Sequence, residues 1–145
     1  MERQGLLILV QGLAGSGKSY LIELLQYDFL IEENFALDES RNIASLVDNL
    51  RCGRRCIVSE RKYRSNVERD TFLSRVRAGL GGHQVTVRFI CFDNNKCLAN
   101  HNCKVRTNKP DDPGGEGHVR QNDDDTKDYE IPSDALVVRI HRLPG

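Results

Sequence analysis

Leu6-Leu7-Ile8-Leu9-Val10 is an unbroken apolar run, the pattern of a parallel strand buried on both faces. From Lys18 the spacing becomes helical, with Leu21, Leu24, Leu25 and Phe29 on one side. Phe35-Ala36-Leu37 reads as a short strand ending at Asp38-Glu39. Ser40 can then cap a helix whose Ile43, Leu46, Val47 and Leu50 follow i, i+3, i+4, i+7 spacing. Cys56-Ile57-Val58 predicts a buried strand stopped by Ser59-Glu60. A helix from about Asn66 to Leu80 follows, turning Phe72, Leu73, Val76 and Leu80 inward and closed by Gly79, Gly81 and Gly82. Val85 to Phe92, rich in β-branched and aromatic residues, is the longest strand expected. Asp93-Asn94-Asn95 opens a weaker helix with Cys97 and Leu98 on its apolar side. Thr107 to Lys127 shows no hydrophobic period and holds Pro110, Pro113, Gly114, Gly115, Gly117 and Asp123-Asp124-Asp125, so residues 104–128 are expected to form a mobile polar loop or lid. Ala135 to Ile140 supplies a last strand.

Strands alternating with helices predict an α/β fold with an open, five-stranded, mainly parallel sheet flanked by helices and joined by right-handed crossovers. With 145 residues, one domain spanning 1–145 is the expectation. Lys plus Arg and Asp plus Glu balance at 21 each, so the whole chain exerts no net electrostatic pull on nucleic acid or membrane. The distribution is uneven. Nine basic residues against three acidic ones fall between Arg51 and Arg77, and eight acidic against two basic between Asp111 and Glu130. The basic stretch suits an anionic substrate; two solvated faces would look the same. Five cysteines with no C-x-x-C pair fit reduced thiols in a cytosol. No run approaches the roughly 20 apolar residues of a membrane helix, and no signal peptide is expected. A cytoplasmic location is the corresponding expectation, with no membrane and no obligate protein partner.

Gly12-Leu13-Ala14-Gly15-Ser16-Gly17-Lys18-Ser19 matches G-x-x-x-x-G-K-Ser/Thr in full, between a strand pattern and a helix pattern. Glycines let consecutive backbone N–H groups curl around phosphate oxygens. Lys18 adds a full charge near the β- and γ-phosphates, and the Ser19 hydroxyl can ligate Mg²⁺. ATP and Mg²⁺ are the cofactors this motif implies. Chance glycine turns rarely meet both context conditions.

In such a sheet Mg²⁺ takes a second carboxylate through water from a neighbouring strand end. Glu60, closing Arg55 to Ser59, is the candidate, although aspartate is more usual there and a surface Glu capping the next segment would look alike. Asp38, at the end of the expected second strand, is the candidate base for an acceptor hydroxyl, with Glu39 as alternate. Helix capping by Asp38 is compatible with either role. Lys104, Arg106, Lys109 and Arg120 flank or lie in the polar segment, and Arg106 is the leading choice for a cation acting on the transferring phosphoryl group. His83, His101, His118 and His141 form no recognisable constellation.

These residues resemble small P-loop kinases of bacteriophages and bacteria, related to polynucleotide and nucleotide kinases. The resemblance is carried by Gly12 to Ser19, by Asp38 and Glu60, by Phe92-Asp93-Asn94-Asn95-Lys96-Cys97-Leu98-Ala99-Asn100, and by Tyr129-Glu130-Ile131-Pro132. It implies a P-loop NTPase fold and γ-phosphoryl transfer from ATP to a hydroxyl. Some phage members of the group phosphorylate 5-hydroxymethyluracil in DNA, so the resemblance implies that base as the leading acceptor and DNA as the partner. A free nucleoside or nucleotide acceptor, and a P-loop NTPase without kinase activity, remain the alternatives.

Overall fold

The computed structural model describes residues 3–32, 35–106 and 115–145. Its centre is β1 (Gly5–Gln11), flanked in the sheet by β3 (Arg55–Ser59) and β4 (Val85–Phe92). β2 (Phe29–Glu32) lies outside β3, and β5 (Leu136–Val138) lies outside β4. The order is β2-β3-β1-β4-β5, and every pairing is parallel. After β1 the chain first fills the β3 side and then crosses to the β4 side. The crevice at the carboxyl ends of the strands, where that order reverses, is where such sheets bind ligands.

Alternation along the strands sorts the core into two layers. Leu7, Leu9, Cys56 and Val58 face α2 (Glu39–Arg51) and α3 (Asn66–Leu80), packing with Leu46, Leu50, Phe72 and Val76. Phe35, Tyr63 and Phe72 complete that layer as an aromatic cluster, with Tyr63 stacked on Phe72 at 4.3 Å between centroids. Val10 and Ile57 face the opposite way, towards Ile22 of α1 (Lys18–Leu24), Ala99 of α4 (Lys96–Val105), and Tyr129 just after α5 (Glu116–Asp128). Among the described residues no helix is long and apolar enough to cross a membrane.

Four expected elements differ in detail. α1 ends at Leu24, which is exposed, and Phe29 belongs to β2. The second strand is therefore Phe29–Glu32, while Phe35–Asp38 forms a 3-10 turn leading into α2. On α4 it is Ala99, Asn102 and Cys103 that are buried, and Cys97 is exposed. The final strand is confined to Leu136–Val138.

The largest correction concerns the expected lid. Residues 107–114 lie outside the described residues, but Glu116–Asp128 is a helix packed on α4, with Asn122 and Asp125 buried. Its buried positions are polar, so no hydrophobic period announces it.

Candidate active site

The phosphate loop leaves β1 at Gln11 and enters α1 at Lys18. Gly15 and Gly17 adopt φ of 85° and 107°, a region costly for side-chain-bearing residues. Neighbouring atoms also exclude a side chain at Gly15, because a Cβ there would run into the Ala99 carbonyl and approach Cys103 Sγ. The loop turns on a hydrogen bond from Ser16 N–H to Leu13 O, 3.1 Å long. Lys18 Nζ donates to Gly12 O at 2.6 Å and Leu13 O at 3.0 Å, so the ammonium sits over its own loop.

Two buried asparagines hold this loop from the α4 and α5 side. Asn122 accepts from Ala14 N–H at 2.9 Å and donates to Ala14 O at 2.8 Å. Asn102 donates to Gly15 O at 3.0 Å and to His141 O at 2.7 Å, while accepting from Leu143 N–H at 2.8 Å. Tyr129 clamps the strand ends by donating towards Phe92 O and Gln11 O. Burial pushes its phenol well above the ordinary range.

A cavity of about 420 Å³ opens over the loop. Gln11, Gly12, Ala14, Gly15, Gly17, Lys18 and Ser19 form its floor, and Glu32, Ser59, Glu60 and Arg61 come from the ends of β2 and β3. Arg106, His118 and Gln121 complete the lining. Glu60 thus stands where the sequence placed it. Its backbone carbonyl accepts from Gln11 Nε2 at 2.9 Å, and its Oε2 is buried without a hydrogen-bond partner among the described residues. A buried carboxylate oxygen lacking a donor suits a hard cation. Among the described residues no three His, Cys, Asp or Glu side chains form a metal cluster. A Mg²⁺ site sharing its shell with water and substrate phosphates requires only one or two carboxylates. Ser19 and Glu60, both oxygen donors at one cavity, fit that requirement.

Arg106 also lines the cavity, with its guanidinium against Cys103 Sγ at 3.9 Å. Lys104 and Arg120 are exposed and do not line it, and Lys109 lies outside the described residues. Asp38 is not among the lining residues. It is exposed at the start of α2, because the second strand ends six residues earlier, at Glu32. Glu32 occupies the strand-end position expected of Asp38 and lines the cavity. Glu39 is drawn into a cluster of its own, accepting from Tyr63 Oη at 2.7 Å and pairing with Lys62 and Arg75.

Arg61, Glu32, His118, Gln121 and Asn122 were not singled out by sequence reasoning. For Glu32 a signal existed: Phe29-Leu30-Ile31 followed by an acid has the form of a strand end. Arg61 and Asn122 are set by contacts 64 and 108 residues apart in sequence, which no local pattern encodes, and His118 and Gln121 reach the cavity as part of α5.

No protein-family model matches the chain, and no curated protein matches it. Among solved structures it is similar to a gluconokinase from Sinorhizobium meliloti 1021, with 16% identity and a TM-score of 0.50 over 96% of this chain and 83% of that one. The fold is that of a P-loop kinase. The likeness extends over the order of strands, with the glycine loop after the central strand and the polar cavity above it.

Proposed function

We propose that this protein is an ATP-dependent kinase that transfers the γ-phosphoryl group to a hydroxyl of a small polar acceptor. The observation that carries this reading is the convergence on one cavity of the phosphate loop, Glu60 from the end of β3 and Glu32 from the end of β2. In this reading the loop N–H groups and Lys18 hold the β- and γ-phosphates, and Ser19 with Glu60, the latter through water, holds Mg²⁺. A metal ion held there by Ser19 and Glu60 would supply neutralisation of the phosphate charge. Glu32 takes the base role first given to Asp38: it orients the acceptor hydroxyl and receives its proton as the new O–P bond forms and the bond to ADP breaks. Arg106, which lines the same cavity, offers a cation to the transferring group.

The small acceptor is preferred because the basic stretch that suggested a polynucleotide backbone is largely paired with the protein's own carboxylates. Arg55 pairs with Asp28, Arg61 with Asp125, Lys62 and Arg75 with Glu39, and Arg64 with Asp128. Arg69 is buried, donating to the carbonyls of Tyr63, Arg64 and Glu130. Cations already neutralised release no counterions from a phosphate backbone. The gluconokinase neighbour accords with a small acceptor.

The test is incubation with γ-labelled ATP and Mg²⁺ alongside three acceptor sets: sugar acids and polyols including gluconate, free nucleosides and nucleotides, and DNA with or without 5-hydroxymethyluracil. Label on the first set supports the proposal. Label confined to DNA returns the reaction to the polynucleotide acceptor, and label on free nucleosides or nucleotides to the nucleotide-kinase alternative. Release of labelled phosphate alone, with no acceptor labelled, makes the protein an NTPase.

A further inference from the structure

The phosphate loop does not hold its shape by its own turn alone. Asn122, wholly buried on α5, meets Ala14 with both ends of its amide: Oδ1 accepts from Ala14 N–H at 2.9 Å and Nδ2 donates to Ala14 O at 2.8 Å. The second Nδ2 hydrogen is directed to Asn100 Oδ1 at 3.0 Å, and Cys103 Sγ lies 3.9 Å away. Ala14 is the third residue of the motif, immediately before the glycine at φ 85° from which the phosphate-facing turn develops. A two-point contact to one residue fixes the orientation of the peptide groups on either side of it, as a single hydrogen bond does not.

We infer that Asn122 is a positioning residue for ATP: its paired hydrogen bonds fix the Ala14 peptide groups and so pre-shape the N–H cradle that receives the phosphates. The inference rests on the reading of the loop as an ATP site. Preorganisation of this kind raises affinity by removing an ordering cost from the binding step. It also gives α5 a function that its sequence conceals, since a helix with a polar buried face is tied into the site by that face.

The decisive variant is Asn122→Asp. Ionised, the introduced carboxylate has no hydrogen to give Ala14 O and sets negative charge against that carbonyl. Protonated, it again offers one acceptor and one donor, as the amide does. Asn100 can then turn its own amide to donate. Burial raises the pKa of the introduced carboxyl above the ordinary value of about 4, so the switch falls within reach of a folded protein. Among the described residues the other titratable or charged groups nearby include Lys18 over the Leu13 carbonyl, Cys103, Arg106 against its sulfur, and His118 and Asp125 one turn away on α5. All are shared with the wild type, so the ratio of variant to wild type isolates the introduced group.

ATP affinity is measured from pH 8 to pH 5 for wild type, Asn122→Asp and Asn122→Ala, together with amide hydrogen exchange at Ala14 and at Ile57 in β3. The expected result at pH 8 is a loss of about tenfold or more for Asn122→Asp with Ile57 protection kept, and loss of Ala14 protection in Asn122→Ala, where the Ala14 N–H has no side-chain acceptor. By pH 5 Asn122→Asp recovers to within about twofold of wild type, while Asn122→Ala stays weak throughout. Wild-type affinity in Asn122→Asp at pH 8, or a loss that persists at pH 5, overturns the inference and leaves ATP binding intact. Loss of Ile57 protection at pH 8 also overturns it, by showing that Asn122 supports the whole fold and not the loop. Should Asn122→Ala fail to fold, Asn122→Asp serves as its own control, because pH alone switches the contact. Wild type that binds no ATP sinks the functional reading instead; Ala14 exchange then decides the loop-holding role, which stands if Ala14 is protected in wild type and loses that protection in Asn122→Ala, and falls if Ala14 is unprotected in wild type or stays protected in the variant.

Discussion

Arg61 and Asp125 meet edge to edge, with Nε and Nη2 of the guanidinium each 2.7 Å from a different carboxylate oxygen. The carboxylate is buried on α5 and the arginine is half exposed at the cavity. The hydrogen bond to Asp125 holds the Arg61 guanidinium in its charged form. One turn further along, Arg64 grips Asp128 in the same way, at 2.8 and 3.1 Å. The short 3-10 segment that follows Glu60 is therefore clasped to the helix that also holds the phosphate loop.

Removing the two partners of that clasp should not be equivalent. Arg61→Ala strands a buried carboxylate whose remaining cation, Arg64 Nε, is 3.4 Å away, and should cost about 2–3 kcal/mol. Asp125→Ala leaves a half-exposed guanidinium that water can solvate, and should cost less. Urea unfolding of both variants and of the double variant is expected to give a coupling energy of about 1–2 kcal/mol. Simple additivity would mean that the pair contributes nothing to stability.

Asp38→Asn and Glu32→Gln separate the two candidate bases. Asp38 is exposed and outside the cavity, so Asp38→Asn should keep turnover within about twofold of wild type. Glu32→Gln should lower kcat by about 10²-fold with little change in ATP affinity. The reverse pattern would restore the base role to Asp38.

Gly15→Ala places a methyl group against the Ala99 carbonyl and Cys103 Sγ in a backbone region that disfavours it. A stability loss of about 2–4 kcal/mol is expected, with ATP binding abolished, measured by thermal unfolding and by titration with ATP. Undiminished stability would show that the loop and α4 are less closely packed than described.

Alkaline pH should destabilise the fold through Cys56. Burial pushes this thiol up to about 12, with Asp28 adding to the shift, against an ordinary value of 9.0. Between those two values the unfolded chain gives up a proton that the folded protein retains. Stability is thus full below pH 9 and falls as pH rises, by up to about 1.4 kcal/mol per unit for this group. Urea unfolding under reducing conditions from pH 8 to 10.5 should show the decline. Cys56→Val should flatten it but not abolish it, because burial raises Tyr63 and Tyr129 as well.

Much of the fold was legible because its signals are apolar and local. β1, β3 and β4 each carry a local apolar signal, Leu6 to Val10, Cys56 to Val58 and the β-branched and aromatic residues of Val85 to Phe92, and α2 and α3 bury the residues their spacing selected. The second strand was misread for a physical reason. Leu24 and Leu25 extend the helical period of α1, yet the chain leaves the helix at Leu25, with φ −85° and ψ 143°, to set Phe29 beside Cys56 in the sheet. That displacement moved the candidate base from Glu32 to Asp38.

By itself the sequence determined the parallel α/β sheet, the phosphate loop from Gly12 to Ser19 and the acid at Glu60, since each depends on residues within one strand, turn or helix start. Tertiary structure decided the rest: that Glu32 and not Asp38 borders the cavity, that Arg61 and Arg64 of the basic stretch pair with Asp125 and Asp128 of the acidic one, and that Glu116–Asp128 forms a helix holding Ala14 through Asn122. Hydrophobic periodicity records only the burial of apolar side chains. α5 buries Asn122 and Asp125, whose partners Ala14 and Arg61 lie 108 and 64 residues away, so their burial is favourable only once the whole chain has folded.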